Sequence, residues 1–140
     1  MNTPRRGCRA FVPTLLSLIC LMSNAEAALL TGSEWKPLRM GALEVPTESS
    51  AFVQFRSQGR LVGFTGCNRM FAEYEASDGT IFVGPVAATR MACAESVMRR
   101  ESALAAALEN ARTYRRAGVS LVLFDADGEP ILEMRQTDWD

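Results

Sequence analysis

Residues 51–83 read AFVQFRSQGRLVGFTGCNRMFAEYEASDGTIFV, and their periodicity decides the fold. From Ala51 to Arg56 the chain alternates: Phe52, Gln54 and Arg56 fall on one face, Val53 and Phe55 on the other. Ser57-Gln58-Gly59 reads as a turn, and Arg60–Phe64 continues as a second strand, which makes a hairpin. Met70–Ala76 alternates again, with Met70, Ala72, Tyr74 and Ala76 set against Phe71, Glu73 and Glu75. Ser77-Asp78-Gly79 supplies the positive φ of a tight turn, and Thr80–Val83 returns. Two hairpins in succession indicate an antiparallel sheet, because a parallel α/β fold needs a helix between its strands.

Working outward, Trp35–Met40 reads as a first strand, and Pro37 points to an edge or a bulge there. Residues 41–50, with Pro46, Thr47, Ser49 and Ser50, read as a loop. Gly84-Pro85 stops the strand before it, and 86–93 form an irregular link. From Ala94 to about Ala111 the period becomes helical: Val97, Leu104, Leu108 and Ala111 lie on one stripe. Glu95, Arg99, Arg100 and Glu109 fall mostly off it. Strands follow at 112–119, 120–124 and 131–136, with a turn at 125–129. The expected fold is mainly β with one α-helix: five strands, the helix, three strands. A curved antiparallel sheet, or a small incomplete barrel with the helix across its opening, buries the most apolar surface and protects the strand edges.

The chain has 140 residues, one domain's length, and 48% of them are apolar, which argues against disorder. Fifteen Lys and Arg against sixteen Asp and Glu leave a net charge of −1, which offers no general field for nucleic acid. The absence of His excludes Ser-His-Asp and Cys-His catalysis and every imidazole metal site. Arg5, Arg6 and Arg9 precede an apolar run from Phe11 to Met22, and Ala25-Glu26-Ala27 resembles a cleavage site. Residues 1–27 are therefore expected to be a secretory signal peptide, since the run is too short to span a bilayer. Bulky Leu18-Ile19 before Cys20 argues against a lipoprotein anchor, and Arg5-Arg6 lacks the apolar residues expected after a twin-arginine pair. The product, residues 28–140, carries twelve Lys and Arg against fifteen Asp and Glu, or −3. It has no further run long enough to cross a membrane and is expected in the periplasm or outside the cell.

Cys8 and Cys20 leave with that segment, and Cys67 and Cys93 remain. In an oxidising compartment an even pair favours a disulfide. Two separate buried thiols, or a redox or nucleophilic pair, are the alternatives, though there is no C-x-x-C spacing.

Gly66-Cys67-Asn68 with Tyr74, then Gly84-Pro85, then Thr89-Arg90-Met91-Ala92-Cys93 stand out together. With these motifs the chain resembles the META domain of the heat-shock-associated HslJ-like proteins of bacterial envelopes. The family pattern runs roughly G-C-N-x-x-x-G-x-Y, a strand ending near G-P, T-x-M-A-C, then a helix with Glu and Leu. Gly66, Cys67, Asn68, Tyr74, Gly84, Pro85, Thr89, Met91, Ala92 and Cys93 match it; Glu101, Leu104 and Leu108 fit the helix, and Trp35 suits the first strand. Ala72 departs from it, standing where the family has Gly. The resemblance covers about 30–135. It implies a lipocalin-like or cracked small barrel, an envelope or secreted location, and no established catalytic activity.

Read physically, Gly66 sits at a sharp reversal that glycine tolerates, and Asn68 is expected to bond neighbouring backbone in an Asx-type turn. The Thr89 hydroxyl is expected to satisfy nearby backbone donors. Met91-Ala92-Cys93 would bring the helix entry against Gly66-Cys67, where a bridge would staple helix to sheet. The expected role is a non-catalytic envelope module that binds an envelope protein or lipid, with no cofactor or metal, no nucleic acid, and a monomeric state. A barrel holding an apolar ligand or lipid tail is the alternative. Glu73 and Glu75 share a strand face and form the one carboxylate pair suited to a hydrolase, against a solvated face as the plainer reading. Asp125-Ala126-Asp127-Gly128 resembles a calcium loop, but Met134 occupies the bidentate Glu position, so a turn is expected. Arg99-Arg100 and Arg115-Arg116 are expected on solvated faces.

Overall fold

The structure is a computed structural model and describes residues 30–138. The expected signal peptide lies outside them. Among the described residues the elements are β1 (Glu34–Met40), β2 (Leu43–Glu44), β3 (Phe52–Arg56), a 3₁₀ turn (Ser57–Gly59), β4 (Arg60–Phe64), β5 (Arg69–Ser77), β6 (Thr80–Val83), β7 (Ala87–Ala88), α1 (Glu95–Asn110), β8 (Thr113–Ala117), β9 (Ser120–Phe124) and β10 (Pro130–Gln136). No helix among them is long and apolar enough to cross a membrane.

The named strands pair antiparallel, and the curl expected from the sequence goes all the way round. The order β10-β9-β8-β6-β5-β4-β3-β1 closes on itself through β1 and β10, from Trp35↔Gln136 to Met40↔Leu132. Eight strands thus form a barrel, and the two-residue β2 and β7 attach to β1 and β5. The thinnest seam is β6–β8, where Thr80 pairs Thr113 and Ile81 N–H donates to Arg112 O. It falls where α1 interrupts the run of strands.

Three local expectations change. β1 is no edge strand, because both of its sides are paired; Pro37 is accommodated where the β1–β10 register shifts between Pro37 and Arg39. The 41–50 loop contains β2, and the 86–93 link contains β7. Both are two-residue pairings held by a neighbouring strand, with no periodicity of their own to betray them.

Alternation puts one set of side chains inside. Val53 and Phe55 of β3, Met70 and Tyr74 of β5, Ile81 and Val83 of β6, Leu121 and Leu123 of β9, and Leu132 and Met134 of β10 are buried around Trp35. The barrel axis is occupied by these side chains, so an apolar ligand inside it finds no support. α1 closes the end where β1 and β6 finish and β10 starts. Leu104, Leu108 and Ala111 of the predicted stripe are fully buried, while Val97 is half-buried at the start of the helix. The opposite end is closed by Arg116, whose guanidinium lies 5.1 Å over the Trp35 ring and donates to Gln136 Oε1 and Gly118 O. Arg116 is therefore half-buried and not on a solvated face, because a cation stacked on an indole keeps its polar edge outward while its body packs.

Candidate functional site

The motif residues gather where β4, β5 and α1 meet. Thr65 ends the inward series of β4, and the chain then reverses at Gly66, whose φ of +112° is closed to ordinary side chains. Cys67 follows and is bridged to Cys93, 26 positions further along the chain, with Cα atoms 6.3 Å apart. Of the three readings of this pair, the disulfide is the one realised, and it ties the reversal to the residues entering α1.

Asn68 is fully buried beside the bridge. Its Oδ1 accepts from the Thr89 hydroxyl (2.9 Å) and from Met91 N–H (2.7 Å). Its Nδ2 donates to Met91 O and to Glu101 Oε1, both at 3.1 Å, and its backbone N–H donates to Glu101 Oε2 at 3.3 Å. These partners lie 21 to 33 positions away, so Asn68 is not a local Asx turn. Local backbone would satisfy only part of a buried amide; the returning loop and the helix satisfy all of it. Thr89 completes the circuit: its hydroxyl accepts Arg69 N–H at 3.1 Å, and its N–H donates to Arg69 O at 3.0 Å. The donor it satisfies is across the loop, and the N-cap position of α1 is Ala94, which has no side-chain cap.

Glu101 is the residue whose role the sequence reading missed. In the sequence it stands only as part of the helix pattern. The signal was its position, four residues after Val97 and three before Leu104, which places a carboxylate on the buried stripe. A charged group at such a position implies a dedicated partner, and Asn68 is that partner.

The other motif residues serve the scaffold. Tyr74 is buried; its hydroxyl donates to Arg56 O at 3.0 Å and its ring packs edge-on against Phe55 at 5.0 Å. Gly84 N–H donates to Glu73 O, and Pro85 is exposed just past β6. Met91 and Ala92 are exposed beside an open groove of about 550 Å³, whose floor includes Asn68 and Glu101 and whose walls include Val86, Met91 and Met98.

The remaining chemical candidates disperse. Glu73 and Glu75 are exposed on the outer face of β5, across from Arg60 and Phe82, and line none of the grooves described here. Asp125 Oδ1 accepts the N–H groups of Asp127 and Glu129, so this carboxylate organises the β9–β10 turn. Among the described residues no His, Cys, Asp or Glu cluster suits a metal ion. Arg99 reaches Glu95 at 3.7 Å on the exposed side of α1, and Arg115 lies 5.5 Å over the Phe124 ring.

A bridged reversal, a buried asparagine tied to a helix glutamate, and a ring of antiparallel strands are thus combined in one fold. A family profile described as META domain matches residues 28–138. The chain belongs to the META domain family. Two solved structures show how widely this fold is shared. One, determined by NMR, is a protein from Burkholderia xenovorans, 22% identical, with a TM-score of 0.66 over 99% of each chain. The other is the crystal structure of a DUF4847 family protein from Bacteroides vulgatus, 13% identical, with a TM-score of 0.58 over 82% of this chain and 99% of that one. Both likenesses concern the fold alone. A comparison with curated proteins found no match. In this META domain, Ala72 takes an inward position of β5, where its methyl packs at the edge of the core.

Proposed function

We propose that this META domain is an exported, non-catalytic module of the HslJ-like kind. It binds another component of the cell envelope through its outer surface and supports envelope integrity under stress. The observation that carries the reading is the disulfide-tied corner over a filled barrel. The Cys67–Cys93 bridge suits an oxidising compartment. The interior is taken up by Trp35, Phe55, Leu61, Met70 and Leu132, which leaves recognition to the outside. The two exposed glutamates of β5 lack the cleft that acid–base chemistry requires.

The test is fractionation and crosslinking in the native cells. The expected result is a processed chain in the envelope fraction, oxidised at Cys67 and Cys93, with a reproducible crosslinked partner and envelope-stress sensitivity on deletion. A chain that stays in the cytoplasm with both thiols free overturns the reading.

A further inference from the structure

In a barrel with a solvated exterior, outward strand positions are expected to be polar. On β3, β4 and β5 an apolar row interrupts the polar outward residues Gln54, Arg56, Arg60, Glu73 and Glu75. The ladder register puts Phe52 opposite Phe64, Gln54 opposite Val62, and Val62 opposite Phe71, all on the outer face. The Phe52 and Phe64 rings lie 5.9 Å apart, and Phe71 is 46% exposed. One step along the same strands, Arg56 stands directly opposite Arg60. Like charges facing across an antiparallel pair repel. Neither arginine has an acid within ion-pair distance among the described residues, although Glu73 is the register partner of Arg60. Arg56 is steadied instead by a neutral group, donating from Nε and Nη2 to Gln54 Oε1, while Gln54 Nε2 donates to Glu34. Between the arginines and Phe71 lies a notch of about 320 Å³ lined by Arg56, Arg60, Val62 and Phe71.

Two facing cations that make no direct ion pair, at one end of an apolar row, match an amphiphilic anion: a headgroup at the guanidinium groups and hydrocarbon along the aromatics. The geometry points to an anionic phospholipid surface as the partner of this face. A headgroup phosphate sits between Arg56 and Arg60, and Phe71, Phe64 and Phe52 enter the boundary between headgroups and acyl chains. This deepens the envelope-module reading and rests on it.

The test is co-sedimentation of the processed, oxidised protein with vesicles of phosphatidylcholine, with and without phosphatidylglycerol. Binding is expected only with the anionic lipid and is expected to weaken with salt. Arg56→Gln and Arg60→Gln should each weaken it about fivefold, the worth of one cation near an anionic surface. Phe71→Ser should weaken it as well, while Glu75→Gln, off the notch, should not. Thermal midpoints within a few degrees of wild type establish that the variants fold. Equal binding to both vesicle types, no binding to either, or indifference to both arginine substitutions overturns the proposal. So does inorganic phosphate shifting the Arg56 and Arg60 NMR signals while vesicles fail to bind, which assigns the notch to a free anion. Lipid-free dimerisation that buries Phe71 assigns the face to a second copy and also overturns it. Absent vesicle binding alongside a reproducible protein crosslink in cells removes the lipid and leaves the envelope-module reading intact. A cytoplasmic chain removes that reading whatever the vesicles show.

Discussion

Asn68 and Glu101, 33 positions apart, meet through two hydrogen bonds in the corner tied by the Cys67–Cys93 bridge, one from the amide side chain and one from the backbone. The pair couples the start of β5 to the buried stripe of α1. Every polar atom of the Asn68 side chain is engaged, and the carboxylate it meets is buried. Each member therefore makes the burial of the other tolerable.

Removing one member strands the other. Asn68→Ala should lower the unfolding free energy by roughly 3–5 kcal/mol, the cost of leaving one oxygen of a buried carboxylate and two loop donors without partners, the backbone bond to the other oxygen being kept. Urea denaturation of the oxidised protein measures it. A loss under 1 kcal/mol would show that water replaces the amide.

The bridge closes a loop of 26 residues. Chain-entropy arithmetic gives about 3.5 kcal/mol for a loop of that size. The double variant Cys67→Ser, Cys93→Ser should lose about that much, and reductant should destabilise wild type but not the variant. Matched denaturation curves with and without reductant decide it.

Two glycines with positive φ should differ in cost. At Gly66 an added methyl group would have its nearest neighbour, Val97 Cγ1, at 3.8 Å, so Gly66→Ala meets backbone strain alone, about 1–3 kcal/mol. At Gly59 the methyl would approach Tyr74 O to 2.8 Å, a rigid backbone atom, in addition to a φ of +68°. Gly59→Ala should be the more destabilising of the two by thermal melting.

Arg116→Ala removes the cation stacked on Trp35 and its bonds to Gln136 and Gly118. A loss of about 1–2 kcal/mol is expected. A red shift in tryptophan emission should accompany it as water reaches the indole. Unchanged emission would mean that other groups close this end.

The glutamates of β5 lie on the exposed outer face. Glu75→Gln should alter stability by less than about 0.5 kcal/mol, as exposed substitutions away from special features do. A larger loss in thermal unfolding would point to a partner for this carboxylate in solution.

Much of this was legible in the chain alone. Period-two alternation in 51–83 specified two hairpins, because neighbouring side chains on a strand must point to opposite faces. The change to a 3.6 period after Ala94 specified the helix, and an even pair of cysteines favoured their bridge. These are short-range rules, satisfied or broken within a few residues. What they could not reach are the long-range pairings. The closure of β1 on β10 joins residues about a hundred positions apart, and no local pattern encodes which edges meet. Asn68 looked like a turn residue because its partners, Thr89, Met91 and Glu101, become neighbours only once the barrel and helix have formed. Arg116 looked solvated because the ring beneath it belongs to β1. The facing of Arg56 and Arg60 across the hairpin, beside Phe71 from the next strand, is likewise a matter of register. Sequence determines which groups must be satisfied; the closed sheet decides which distant group satisfies them, since burial makes the cheapest available partner the one that packing has already brought near.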